Sequence, residues 1–204
     1  MKQTKDKIID TAHRLMNEKG APNVTLRQIA TEMGISQGNL NYHFRKKEEI
    51  IEALYYRLFE EANKELAKLA TAEINLDFFF ESFRSGMESL YEYRFFMVDI
   101  NQVMRENPSI HQHFMEIERF RNQAYLYAFT LAVQNGIMRP ADFEGEYEHL
   151  AERIRIFSDF WLASADLYAM KEKETILEKH FQLYKDMLYP YLTKDMQQAF
   201  ITHR

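Results

Sequence analysis

The chain has 204 residues, 46% of them hydrophobic and 28% charged, with a net charge of −5, enough material for one large folded domain or two small ones. Six glycines, four prolines and four valines are too few for a sandwich or barrel, which needs turn and β-branched residues throughout, so an all-α fold is expected. The absence of cysteine excludes disulfides, thiolate metal sites and a cysteine nucleophile; with no long apolar run and no apolar leader, a cytoplasmic protein without a membrane partner is expected.

Charge and aromatic content divide the chain. Residues 1–50 carry +3 and only two aromatics, Tyr42 and Phe44; the remainder carries −8 and the other 27. This predicts a small basic head on a larger acidic, aromatic-rich body. Ile8, Ala12, Leu15 and Met16 recur at helical spacing until Gly20-Ala21-Pro22 stops the helix. Thr25 then precedes Leu26, Ile29, Ala30 and Met33, and Gln28 three residues after Thr25 completes a capping box. Gly34 is placed to end this short helix in the left-handed conformation, and Ser36 to cap the next, whose Leu40 and Phe44 lie one turn apart. A long helix follows on Ile50, Ile51, Leu54, Leu58, Ala62, Leu66 and Leu69. Further helices are predicted near 76–93, 95–106, 109–135, 146–170, 173–189 and 194–202, broken at Asn107-Pro108, at Gly136 through Gly145 and at Pro190.

Residues 25–44 therefore have the anatomy of a helix-turn-helix. Turning the unit presents Gln37, Asn39, Asn41 and Tyr42 outward on its second helix, and Asn and Gln are the side chains that bond two edges of adenine in the major groove. Gly38 permits close approach to a phosphate near the helix N-terminus. Arg27 is within reach of a guanine or the backbone. His43, Arg45, Lys46 and Lys47 form a cationic cluster suited to phosphates. Periodicity alone also fits a solvated three-helix cluster. The cations, however, crowd a helix N-terminus whose dipole they oppose by about 0.3–1 kcal/mol each, which favours a phosphate-binding role over a stabilising one.

Thr25-Leu-Arg-Gln-Ile-Ala30, Gly34-Ile-Ser-Gln-Gly-Asn-Leu40 and Tyr42-His-Phe-Arg-Lys-Lys-Glu-Glu-Ile50 resemble, in order and spacing, the DNA-binding segment of TetR-type transcriptional regulators. The resemblance covers about residues 5–55; the rest is similar in layout only. It implies a helix-turn-helix DNA-binding domain at 1–47 and a helical effector-binding and dimerisation domain at 48–204, joined by the long helix. It also implies a homodimeric repressor of double-stranded DNA that responds to a small hydrophobic effector, with no cofactor. Arg27, Gln37 and Asn39 fall at base-reading positions, and Tyr42, His43 and Lys47 at backbone-contacting ones. Asn41 stands where the family usually has tyrosine, which opens a base-reading role there.

Aromatics and methionines saturate positions 78–191, as an effector cavity, a subunit interface or ordinary core would require. Asp99, Tyr125, Phe129 and Trp161 are the candidate effector-lining residues. Leu150, Ile154, Phe157, Trp161 and Tyr168 on one helix, with Leu177, Phe181, Tyr184 and Leu188 on the next, form stripes that favour dimerisation. A ligand-independent regulator and an activator remain open alternatives. The rival class is a helical-bundle metalloenzyme, but Glu146-x-x-His149 occurs once where a di-iron site needs two copies. His111 and His113 point to different helix faces, and no P-loop, dinucleotide fingerprint or nucleophile elbow appears. No catalytic or metal-binding residue is therefore expected.

Overall fold

The capping box closes as its sequence predicts: Gln28 N–H donates to Thr25 Oγ1 at 3.2 Å and Thr25 N–H to Gln28 Oε1 at 2.8 Å. These bonds, in a computed structural model describing residues 2–69 and 74–202 (side chains of 3–61 and 74–202), start α2, Leu26–Glu32. Such a cap is worth about 1 kcal/mol. Before it, α1 (Lys2–Lys19) buries Ile8, Ala12, Leu15 and Met16 and ends at Gly20, whose φ of +80° needs a glycine. Gly34 at φ +66° lets Ile35 N–H reach back to Ala30 O at 3.0 Å, terminating α2. Ser36 Oγ accepts from Asn39 N–H at 3.2 Å and starts α3, Gln37–His43. The long α4 runs Lys47–Leu69 and buries Ile50, Ile51, Leu54 and Leu58. The side chains of Ala62, Leu66 and Leu69, which extend this pattern, lie outside the described residues.

The chain packs as two compact units, residues 1–63 with 89–113 and residues 64–88 with 114–204. In the first, the end of α5 (Leu76–Glu92) is bound to α1. Asn17 Nδ2 and His13 Nε2 both donate to Glu92 O at 2.6 Å, and Phe95 N–H donates to Asn17 Oδ1 at 3.2 Å. His13 also stacks on Tyr93 at 4.5 Å, and Tyr55 on α4 hydrogen-bonds His113 at 2.8 Å. The single helix expected over 95–106 is two: α6, Arg94–Val98, and α7, Ile100–Glu106, divided at Asp99. Phe95, Phe96 and Met97 are all buried. Three consecutive side chains span about 200° of a helix, wider than one core-facing stripe, and the turn at Asp99 re-aims Ile100 and Val103 inward.

In the second unit α8 (Pro108–Gln134) from Phe114 onward, α9 (Glu146–Leu167), α10 (Lys173–Leu188) and α11 (Lys194–Thr202) pack with the first turns of α5. Phe83 lies flat on Tyr184, with ring centres 3.4 Å apart, and Phe79 and Tyr125 each stack on Phe129 at 6.2 Å. The 136–145 loop is locked by Arg139, whose Nη1 and Nη2 donate to Glu146 at 3.0 and 2.6 Å, while Asp142 N–H donates to the same carboxylate at 2.7 Å. These three bonds hold the Glu146 carboxyl down at about 2. α9 ends at Leu167, short of the expected 170; Ala169 takes the left-handed conformation at φ 52°, so Met170 N–H reaches Ala165 O at 3.0 Å. Among the described residues no helix is long and apolar enough to cross a membrane.

Candidate nucleic-acid interface and a buried polar seam

α3 has seven residues, and its orientation is fixed by what it buries. Leu40 is fully enclosed and Phe44, just past the helix, nearly so. Pinned one turn apart, these two leave Gln37, Gly38, Asn39, Asn41 and Tyr42 exposed; Tyr42 is 71% exposed, far more than a core tyrosine. Arg27 on α2 is exposed as well, and His43 half-buried. A Cβ on Gly38 would meet only Ser36 Oγ at 3.9 Å, and its φ lies outside the left-handed region. The free fold therefore does not demand glycine there.

The cations after α3 divide into two kinds. Arg45 and Lys46 are exposed, whereas Lys47 Nζ donates to Ala21 O at 2.9 Å and is half-buried. Lys47 thus ties the start of α4 to the turn after α1, a structural role where the helix dipole favoured a phosphate-binding one. The unfavourable dipole is offset locally by Glu48 and Glu49, and Glu49 accepts from Arg45 N–H at 2.8 Å. Lys5 was missed by sequence reasoning: its ammonium lies 5.3 Å from the Phe44 ring centre, beside the end of α3. No local pattern signals a contact across so many residues.

A second concentration of chemistry lies inside the second unit. Glu118 and Asp159 are both buried. Arg121 Nη1 donates to Glu118 at 2.6 Å and stands 3.8 Å from Asp159 Oδ1; Arg155 Nη1 reaches Asp159 Oδ2 at 3.4 Å while its Nε bonds Glu152 at 2.9 Å. Burial raises both buried carboxyls above their ordinary range, against the pull of the arginines. Tyr125 hydrogen-bonds Arg121. The enclosed Tyr184 phenol is pushed far up by burial, and further by Tyr125. Ser158 Oγ, Asp159 Oδ1 and Trp161 Nε1 are buried without a hydrogen-bond partner among the described residues. Each such atom costs about 1–3 kcal/mol, and no local sequence pattern marks Glu118 or Asp159 as buried.

Of the expected effector-lining residues, Tyr125 and Phe129 stack together in the second unit and Trp161 is buried there, whereas Asp99 belongs to the first unit, at the α6–α7 turn. The expected interface stripe is largely turned inward. Trp161, Phe181, Tyr184 and Leu188 are buried within their own chain, and Phe157 is half-buried near Phe83 and His180. Only Tyr168, 75% exposed, faces out. The outward apolar side chains are Ile156, Phe160 and Leu167 on α9 and Leu183 on α10. α9 carries two apolar stripes, and the one read from sequence serves the chain's own core. The other, Ile156-Phe160-Ala163-Leu167, was legible at 4-3-4 spacing.

Residues 8–54 match the family model described as bacterial regulatory proteins, tetR family, and residues 58–200 match that of the TetR bacterial transcriptional repressor. The chain belongs to the TetR family. The HTH-type transcriptional regulator YerO of Bacillus subtilis, itself uncharacterized, is 29% identical over 149 residues, covering 68% of this TetR-family chain and half of that relative's length. An HTH-type transcriptional regulator of Staphylococcus aureus is 37% identical over 49 residues, 24% of this chain and 26% of that one. Among solved structures, a TetR-family regulator from Marinobacter aquaeolei superimposes with a TM-score of 0.87 at 26% identity, covering 98% of this chain and 96% of that one. A protein from Saccharomonospora viridis in complex with choline shares the fold (TM-score 0.74, 20% identity, 95% and 100% covered). So does AibR in complex with isovaleryl coenzyme A and operator DNA (TM-score 0.65, 14% identity, 88% and 96% covered).

Proposed function

We propose that this TetR-family protein is a transcriptional repressor that binds a palindromic operator as a homodimer and releases it when a small hydrophobic effector enters its body. The observation that carries the reading is the outward face of α3, where Gln37, Asn39, Asn41 and Tyr42 stand exposed around the pinned Leu40. Gln37, Asn39 and Arg27 contact base edges; Tyr42, His43, Lys46 and the backbone at Gly38 hold phosphates. Lys47 contributes by placing the start of α4 and adds charge to the same edge. Residues 1–47 form the DNA-binding domain and 48–204 the effector-binding and dimerisation domain.

Dimerisation runs through the outward stripe Ile156, Phe160 and Leu167 with Leu183 and Tyr168, paired isologously. Two-fold pairing sets the two α3 helices about one DNA turn or somewhat more apart and requires a palindrome. The effector seat is formed by Tyr125, Phe129 and Trp161; fold neighbours solved with choline or isovaleryl coenzyme A support a ligand-responsive body. Near-complete release requires the effector to discriminate between body states by about 5.5 kcal/mol. Selecting bound fragments from random duplex DNA tests the reading. An enriched palindrome is expected; enrichment of a single asymmetric half-site, or none, overturns it.

A further inference from the structure

Resting on the DNA-binding reading above, we infer that α1 adds a phosphate contact to the interface: Lys5, seated against the Phe44 ring, holds the duplex backbone beside the end of α3. Lys5 precedes Ile8 and Ile9 by three and four residues, so it continues the face of α1 that those two bury. Packing alone would be served by an apolar side chain on that line. The stripe ends instead in a lysine that stays exposed, with its ammonium 5.3 Å from the Phe44 ring centre. Phe44 is buried by the same packing that orients α3, and it stands between His43 and Arg45 in the chain. The ring therefore places Lys5 at the edge where the exposed cations Arg45 and Lys46 follow α3.

Three other cations of the head are already committed. Arg14 pairs with Glu18 at 3.1 Å and with Glu32, Arg57 pairs with Asp10 at 2.6 Å, and Lys47 donates to Ala21 O. Lys5 enters no ion pair among the described residues; the first turn of α1 holds no acid, and the neighbouring Asp6 points about 100° away round the helix. A ring face attracts an ammonium through its quadrupole and leaves N–H donors free for phosphate oxygens. A compact point charge on a flexible stem at the rim of the reading helix suits the backbone, which carries no sequence information, rather than a base edge. Lys7, two residues on, lies on the opposite side of α1 and is also exposed, so it carries the same charge without the same placement.

The full-length protein is titrated with a selected operator and with a scrambled duplex over a range of salt, as the parent and as Lys5→Met, Lys5→Arg, Lys7→Met and Lys46→Ala. Methionine keeps an unbranched stem on the ring and removes only the charge. Lys5→Met is expected to lower the log–log salt slope by about 0.9 for each protomer bound, on both duplexes. The ratio of the two affinities stays within twofold of the parent's, and the melting temperature is unchanged. Lys5→Arg keeps the parent slope, and Lys7→Met lowers it by less than a third as much as Lys5→Met. An unchanged slope in Lys5→Met, an equal loss in Lys7→Met, or a loss confined to the operator overturns the inference. A lowered slope in Lys46→Ala with none in Lys5→Met leaves the DNA-binding reading standing and removes this contact; a parent protein that binds neither duplex at low salt removes both.

Discussion

The helix-turn-helix and the α8–α10 seam solve opposite problems with polar side chains. In residues 20–50 the N–H groups at the helix starts are satisfied by side chains three or four residues away, Gln28 N–H by Thr25, Asn39 N–H by Ser36 and Arg45 N–H by Glu49, and the Lys47 ammonium is satisfied by Ala21 O across 26 residues. What remains, Gln37, Asn39, Asn41 and Tyr42, stands in solvent. In the seam the charges are inside and three polar atoms are unmet. A surface finished within itself suits a rigid template for a large partner, whereas an unfinished interior carries the cost of its unmet atoms.

The largest effect that would break this contrast lies under α3. Leu40→Ala removes a fully buried anchor and should cost about 2–5 kcal/mol; urea unfolding followed by circular dichroism checks it, and a loss below 1 kcal/mol would mean that α3 is not held by its core contact. Next comes the lock in the body. The folded Glu146 carboxyl lies at about 2, below its ordinary 4.5, so its stabilisation is fully present above 4.5 and is lost as pH falls from there towards 2. Glu146→Gln should therefore lower the urea midpoint at neutral pH and converge with the parent protein near pH 2. Glu118 and Asp159 have the opposite sign: their raised folded values mean that stability is gained as pH falls into their titration range.

Two lysines sharpen the contrast at smaller scale. Lys47→Ala should lose about 1 kcal/mol of stability with its bond to Ala21 O and weaken DNA binding. Lys46→Ala should leave the melting temperature unchanged and lower the log–log salt slope of duplex binding by about 0.9 per phosphate contact. Equal behaviour of the pair in both measurements would erase the distinction between a structural and a displayed cation. The smallest effect is a gain. Ala169→Gly relieves a left-handed alanine and should raise stability by about 0.5–1 kcal/mol, read from the thermal midpoint.

The sequence made the head legible because its signals are local. Thr25 with Gln28, Gly34, and Ser36 with Leu40 and Phe44 each act within a turn or two, and each does in the structure what its spacing implies. The body was legible as helices and less so as faces. α9 carries two apolar stripes, and only three-dimensional packing decides that Trp161 goes inward and Phe160 outward. The break at Asp99 follows from burying Phe95, Phe96 and Met97 together, and the early end of α9 uses an alanine where sequence rules look for glycine. Lys47 reaching Ala21, and the burial of Glu118 and Asp159, are tertiary facts without a local trace.

The central claim, that the exposed face of α3 reads a duplex, is tested most directly by measuring discrimination between a selected operator and a scrambled duplex at fixed salt for the parent protein and Gln37→Ala. The account predicts a loss of about 1–3 kcal/mol in discrimination, confined to particular base pairs, with the melting temperature unchanged because Gln37 is exposed. Undiminished discrimination together with an unchanged melting temperature would contradict it.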